Sequence, residues 1–230
     1  MTEFQADNEE HWLSVSDLMA GLMMVFLLVA VIFMVNAEQE RRTVTDVALL
    51  YERLRLELYQ DLLDEFSDDL PRWGAELDED LTFRFSRNDL LFDRGENSLQ
   101  PQFEAILADF FPRYVNIIYA ERYRDDIREL RIEGHTDSSW TGLDPDVAYI
   151  RNMELSQART RAAAAFILAL PELADLQSWL KENLTANGLS SSKLILGPDG
   201  LEDPDRSRRV EFRVVTDADQ RIQEIIQRAR

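Results

Sequence analysis

Apolar positions divide the chain into stretches with different periods. Leu18 to Val35 is an unbroken run of eighteen apolar or small residues. A helix of that run is about 27 Å long, close to the hydrocarbon thickness of a bilayer, so a single transmembrane helix is expected over residues 17–36. Beyond it, Val44, Val47, Tyr51, Leu54, Leu58 and Leu62 recur at three- and four-residue intervals, and no Gly or Pro intervenes before Pro71. This is the stripe of one continuous helix. It packs either on the chain's own globular part or on a second copy as a short coiled coil, and pairing is the expectation. After Gly74 the period changes to two, with Leu81, Phe83 and Phe85 on one strand face and Thr82, Arg84 and Ser86 on the other.

The remaining pattern alternates between helix and strand. A turn at Arg87 to Asp89 is followed by a helix that opens on Pro101, buries Phe103, Ile106, Leu107 and Phe110, and is bent or ended by Pro112. A strand runs through Ile127 to Gly134, then a polar loop with Gly142 and Pro145 leads into a helix from about Asn152 to Leu170. Another helix is expected over Glu172 to Leu184, a short strand at Leu194 to Leu196, a clearer strand at Arg209 to Val215, and a terminal helix from Asp217. The predicted fold class is α+β, a β-α-β-α-β sandwich of helices on one sheet. The implied organisation is a short N-terminus (1–16), the span (17–36), a helical linker or stalk (37–75), a globular domain (76–216) and a C-terminal helix (217–230).

Composition narrows the function. The chain has 230 residues and a net charge of −19, from 44 acids and 25 bases, which argues against nucleic-acid binding because phosphate contacts need a basic surface. It has no cysteine, so disulfides, thiolate metal sites and a cysteine nucleophile are excluded. Val35-Asn36-Ala37 resembles a cleavage site, but residues 1–16 hold four acids and no Lys or Arg, and the apolar run is too long for a secretory signal. An uncleaved anchor is expected. Arg41, Arg42, Arg53 and Arg55 all follow the span, so the positive-inside count alone would leave the C-terminal part in the cytoplasm.

Four sets of residues could carry chemistry. Asp17 stands at the entrance of the span, where a carboxylate is either a helix N-cap in the headgroups, with Ser14 and Ser16 as further capping candidates, or a functional acid inside the membrane boundary marked by Trp12. Ser14, Asp17 and Gly21 share one helix face, on which a partner helix could approach the glycine closely and an ion could pass. Glu133, His135 and Asp137 alternate onto one strand face, a pattern open to a metal or acid-base role or to simple hydrogen bonding at a strand end. Asn152, Leu155 and Arg159 share a helix face, and an arginine near a helix start calls for a partner carboxylate, internal or from a ligand. Arg209 and Glu211 oppose Val210 and Phe212 across a strand. No Gly-rich phosphate loop and no supported Ser-His-Asp order is present, so an enzyme is not expected.

These residues carry a family resemblance. Leu91-Phe92-Asp93-Arg94-Gly95, Leu99-Gln100-Pro101, Glu133-Gly134-His135-Thr136-Asp137, Asn152 with Leu155-Ser156-Gln157-Ala158-Arg159, and Arg208-Arg209-Val210-Glu211 together resemble the OmpA C-terminal-like peptidoglycan-binding domain, over about residues 80–215. With an acid-bearing span ahead of it, the chain is similar to the B subunit of an ion-driven stator, the MotB type, and the span wording Ser14 to Leu22 resembles the ZorB component of Zorya anti-phage defence. The resemblance implies that Asp137 and Arg159 hold the amino and carboxylate groups of diaminopimelate, and that Asn152, Leu155 and Arg209 line or support that pocket. It implies Asp17 as the ion carrier, no cofactor beyond the transported H⁺ or Na⁺, and a homodimer inside a ring of MotA-like multi-span subunits. It further implies peptidoglycan and, through the complex, cytosolic defence effectors as partners. The implied location is the bacterial inner membrane, single-pass, with a cytoplasmic N-terminus and a periplasmic C-terminal domain. A passive membrane-to-wall tether and a flagellar-type motility stator are the alternatives. The segment Ser138 to Arg151, which carries Trp140, is longer than the family's, so the pocket rim differs there.

Overall fold

The computed structural model describes residues 3–93 and 95–216, with side chains described for 18–39, 49, 52–87, 90–93 and 95–216. The expected terminal helix 217–230 and the side chains of Ser14, Asp17, Val44, Val47 and Tyr51 lie outside these. The chain divides into two units, Met1–Leu50 and Tyr51–Arg230. The helical stripe read from the sequence is one element, α1 (Glu3–Phe66). Within the first unit, Leu18–Gln39 is a 22-residue stretch long and apolar enough to cross a membrane, with its side chains exposed. Leaving Leu18, Phe26 and Phe33 in water would carry a large hydrophobic cost, which a lipid environment removes.

In the second unit the end of α1 belongs to the globular core. Leu58, Leu62 and Phe66 are fully buried there, with Leu54 packed at the margin. The expected pairing with a second copy therefore does not hold for this end of the stripe: from Leu54 onward its apolar face is covered by the chain's own domain. Polar contacts fix the same end, since Arg113 donates from Nε to Glu65 at 2.7 Å and from Nη1 to Asp69 at 2.8 Å, and Tyr123 donates its hydroxyl to Asp61 at 2.5 Å.

After α1 a single turn, α2 (Leu70–Trp73), ends at Gly74, whose φ of 61° gives the left-handed cap that reverses the chain. The strands are β1 (Ala75–Leu77), β2 (Thr82–Phe85), β3 (Ile127–His135), β4 (Leu184–Gly188) and β5 (Arg209–Thr216), in the order β1-β2-β5-β3-β4. Among the described strands only β3 and β4 pair in parallel. Between them come α3 (Asn88–Leu91), α4 (Pro101–Ile118), α5 (Pro145–Leu168), a 3₁₀ segment (Pro171–Leu176), α6 (Gln177–Asn183) and α7 (Pro204–Ser207). The class is α+β as read from the sequence.

Strand alternation gives the sheet two unlike faces. Phe83, Phe85, Leu130, Ile132, Val210, Phe212 and Val214 point into the core against Phe103, Leu107, Phe110 and Phe111 of α4 and Ala163 and Ile167 of α5. Phe110 sits at the middle, its ring 4.9 Å from Phe83, 5.0 Å from Tyr114 and 5.4 Å from Phe212. This packing explains why Pro112 neither ends nor splits α4: Phe111, Tyr114, Val115 and Ile118 beyond it are all buried, and their burial outweighs the lost helical hydrogen bond. The opposite face carries Arg84, Arg131, Glu133, His135, Arg209 and Glu211.

Several elements differ from the sequence expectation: the helix expected over Glu172 to Leu184 is the 3₁₀ segment followed by α6, and α3 starts within the turn expected at Arg87 to Asp89. Helix α5 starts at Pro145 rather than Asn152, because Asp144 caps it by accepting from the Asp146 N–H at 3.0 Å and proline suits its first turn. The expected strand at Leu194–Leu196 is a loop with one isolated bridge, Leu196 to Glu202. The edge strand is instead β4, Leu-Thr-Ala-Asn-Gly, in a stretch lacking alternation and following directly on α6.

Candidate functional site

At the end of β3 the chain opens a cavity of about 580 Å³ lined by Leu91, Phe92, Asp93, Gly95, Thr136, Asp137, Ser139, Trp140, Thr141, Asn152, Leu155, Arg159 and Arg208. Four parts of the fold meet there. Strand β3 delivers Thr136 and Asp137 just past its last residue, and the Thr136 N–H donates to the Ser190 carbonyl at 2.9 Å. Helix α5 presents Asn152, Leu155 and Arg159 from one face, as their i, i+3, i+7 spacing requires. The turn after α3 contributes Phe92, Asp93 and Gly95, closed by the Phe92–Leu99 bridge. The exit of α7 supplies Arg208.

Asp137 is buried, and its carboxylate is fully engaged. Oδ1 accepts from the Ser139 N–H at 3.0 Å and the Ser139 hydroxyl at 2.9 Å, while Oδ2 takes an ion pair from Arg208 Nη1. Asn152 anchors the same corner by donating Nδ2 to the Asp137 carbonyl at 3.0 Å. Asn152 thus holds the backbone that carries the acid.

Arg159 is held differently. Nε donates to the Glu96 carbonyl at 2.9 Å, Nη2 donates to the Asp93 carbonyl at 3.1 Å, and the guanidinium lies 4.8 Å over the Phe92 ring. Among the described residues no carboxylate reaches ion-pair distance of it. Burial pushes its pKa down to about 10, the neighbouring Arg208 charge adds to this, and Asp137 opposes it. It remains cationic at neutral pH. The cavity therefore pairs a well-positioned guanidinium, unpaired with any carboxylate among the described residues, with a carboxylate whose partner, Arg208, is half-exposed and shared with Asp205. A ligand bearing both a carboxylate and an ammonium group matches that arrangement.

Of the residues read from sequence, Asp137, Asn152, Leu155 and Arg159 come together in this cavity. Arg209 does not line it. Its side chain is buried on the polar face of the sheet, where Nε donates to Glu211 at 2.7 Å and Nη1 to the Lys193 and Ser207 carbonyls at 3.1 and 3.0 Å. Strand alternation separates the two arginines: the cavity takes Arg208, just before β5, and Arg209 faces the other way. The sequence reading names Arg208 only within its motif and gives the role to its neighbour Arg209. Gly21 lies within the span, and the side chains of Ser14 and Asp17 lie outside the described residues.

The alternating trio also separates. Glu133 and His135 stay on the strand face, but Asp137 lies past the end of β3 and turns into the cavity; the third member of the buried set is Glu211, paired with Glu133 across β3 and β5. His135, 3% exposed, has Nε2 3.3 Å from Glu211 Oε2 and 3.9 Å from Glu133 Oε2. Glu133, His135 and Glu211 bring ligand atoms within 4.8 Å of one another, a spacing a metal could use. Both carboxylates already have guanidinium partners, however: Glu211 accepts from Arg84 at 2.9 Å and from Arg209, and Glu133 faces Arg131 at 3.4 Å. Burial alone would raise the Glu211 pKa, but His135 and Arg209 beside it hold its carboxyl well below the usual carboxylate range. This is a buried ion-pair network bracing the two central strands behind the cavity.

Comparison with known proteins places the chain. No protein-family model matches the sequence. The solved structure of a MotB-like protein from Desulfovibrio vulgaris superimposes with a TM-score of 0.53 at 21% identity, covering 74% of this chain and 98% of that one, which is a likeness of fold. Zorya protein ZorB of a second Escherichia coli strain is 26% identical over 221 residues, covering 88% of this chain and 79% of that protein. Zorya protein ZorB of Escherichia coli strain Crooks is 46% identical over 222 residues, 96% of this chain and 94% of its relative. At that identity over nearly the whole length of both proteins, the chain belongs to the family of the Zorya protein ZorB.

Proposed function

We propose that this chain is the wall-anchored B subunit of an ion-driven stator in the bacterial inner membrane, working in Zorya-type anti-phage defence. The observation that carries the anchoring half is Arg159, a guanidinium fixed by two backbone carbonyls that faces the cavity with no carboxylate at ion-pair distance among the described residues, and with Asp137 in the same cavity. The diaminopimelate end of a cell-wall peptide offers the complementary pair. Its carboxylate would meet Arg159 and its ammonium Asp137, in competition with Arg208 for the same carboxylate oxygen. Charge-assisted contacts of this type are about twice as strong as neutral ones.

The driving half rests on family membership and the span. Asp17 would take up and release H⁺ or Na⁺ at the entrance of the membrane helix, with Ser14 and Gly21 on the same face. A carboxylate held in a low-dielectric site is costly when charged, so ion binding relieves it and can be coupled to a conformational step. Two copies of this chain would stand within a ring of MotA-like multi-span subunits, with the N-terminus cytoplasmic and the globular unit periplasmic, gripping peptidoglycan. Cytosolic defence effectors would receive the output.

Topology tests the whole reading. A reporter active only outside the cytoplasm, fused after the globular unit, should give signal; signal only from a cytoplasmic reporter would put Asp137 and Arg159 out of reach of the wall and end the proposal. With the topology established, Asp17→Asn should abolish protection against phage while expression and membrane insertion persist. Full protection in that variant would leave a passive tether as the function.

A further inference from the structure

The cavity has two chemically unlike walls. One is charged, with Asp137, Arg159 and Arg208. The other is formed by the segment after Asp137, where Trp140 and Thr141 line the opening and Trp140 is half-buried. That segment is fixed in place. The Leu143 N–H donates to the Trp140 carbonyl at 3.2 Å, closing a turn in which Gly142 has a φ of 78°, a conformation glycine adopts without strain. On one side the Ser138 N–H donates to Glu202 at 2.9 Å, and on the other Asp144 caps α5.

The lack of charge on this wall narrows its occupant. The residues of the segment that line the cavity, Ser139, Trp140 and Thr141, are uncharged, and from Ser138 to Ile150 there is no Lys or Arg. The carboxylates of a cell-wall stem peptide would find no cation there. The sugars of the glycan strand are uncharged apart from that peptide link, and a pyranose ring has an apolar face that suits an indole. The cavity also has the volume of sites that hold ligands well beyond one amino-acid end.

We propose that Trp140 forms a subsite for an N-acetylated sugar ring of the glycan strand, adjoining the pocket for the peptide end. This inference rests on the peptidoglycan reading above. Because the turn is preformed, the aromatic face costs little ordering on binding.

The test uses the full chain in lipid nanodiscs and calorimetry with two probes: the stem tripeptide ending in diaminopimelate, and the same tripeptide attached to its disaccharide. The disaccharide form should bind about tenfold more tightly, the scale of one well-placed aromatic contact. Trp140→Ala should bring the ratio of the two affinities close to one, and Trp140→Tyr should keep most of it, which separates loss of an aromatic platform from loss of folding. An unchanged ratio in Trp140→Ala, or no preference in the unmodified chain, would overturn the subsite while leaving the peptide pocket in place. Failure of the unmodified chain to bind either probe would overturn the peptidoglycan reading and the subsite with it.

Discussion

Replacing Arg159 by alanine separates what this side chain does for the fold from what it does for a ligand. Within the protein it donates to two backbone carbonyls, of Glu96 and Asp93, and lies over the Phe92 ring. Two such hydrogen bonds are worth about 1–3 kcal/mol together, and an exposed cation–π contact adds about 0.5–1 kcal/mol, so a modest fall in thermal midpoint is expected. The ligand carboxylate is a separate loss. Truncating one partner of a buried hydrogen-bonded charge pair costs about 2–5 kcal/mol, and since the guanidinium is only half-buried the lower end applies, about 2–3 kcal/mol, or roughly 30- to 150-fold in Kd. Arg159→Lys sharpens the comparison, because an ammonium keeps the charge but cannot hold both carbonyls and a ligand with one planar fork. Calorimetric titration of the full chain in nanodiscs with a diaminopimelate-containing tripeptide, beside thermal unfolding, reads both effects. Arg159→Ala binding within threefold of the unmodified chain, in a folded sample, would refute the assignment of this guanidinium to the ligand.

Other perturbations follow from the same contacts. A Cβ on Gly188 would come within 2.2 Å of the Gln157 backbone N and 2.6 Å of its Cα, so Gly188→Ala should push β4 off α5 and destabilise by more than about 3 kcal/mol, read as loss of folded yield or a large midpoint drop. Leu62→Ala should cost about 2–5 kcal/mol in chemical denaturation, because this side chain lies in the domain core; a change below 0.5 kcal/mol would mean that the end of α1 is not docked there. Glu211 has a folded pKa held below its unfolded value, so its stabilisation is fully present above about pH 4.3 and is lost as pH falls toward the folded pKa. Unfolding midpoints measured from pH 6 to pH 3 should therefore decline, with a shallower decline and a lower starting stability in Glu211→Gln.

Much of this was legible in the chain itself, and the reason is periodicity. An eighteen-residue apolar run, a three-four stripe and a period-two alternation each correspond to one kind of backbone, so the span, the helix that leaves it and the central strands could be read off directly. Side chains at i, i+3 and i+7 on a helix must share a face, so Asn152, Leu155 and Arg159 were grouped without knowledge of what they face. Tertiary structure decided the rest. Whether the stripe on α1 meets a second copy or its own domain depends on which surface lies opposite, and Leu58, Leu62 and Phe66 meet the sheet core. Pro112 is tolerated because long-range burial outweighs a local rule, and β4 is a strand because the parallel ladder with β3 supplies what its short polar sequence lacks. The choice between Arg208 and Arg209 turned on where β5 begins: one residue of register reverses the direction of every side chain, so adjacent arginines serve a cavity and a buried ion-pair network. Local pattern determined which elements this chain would form, and long-range contacts determined which faces they would show one another.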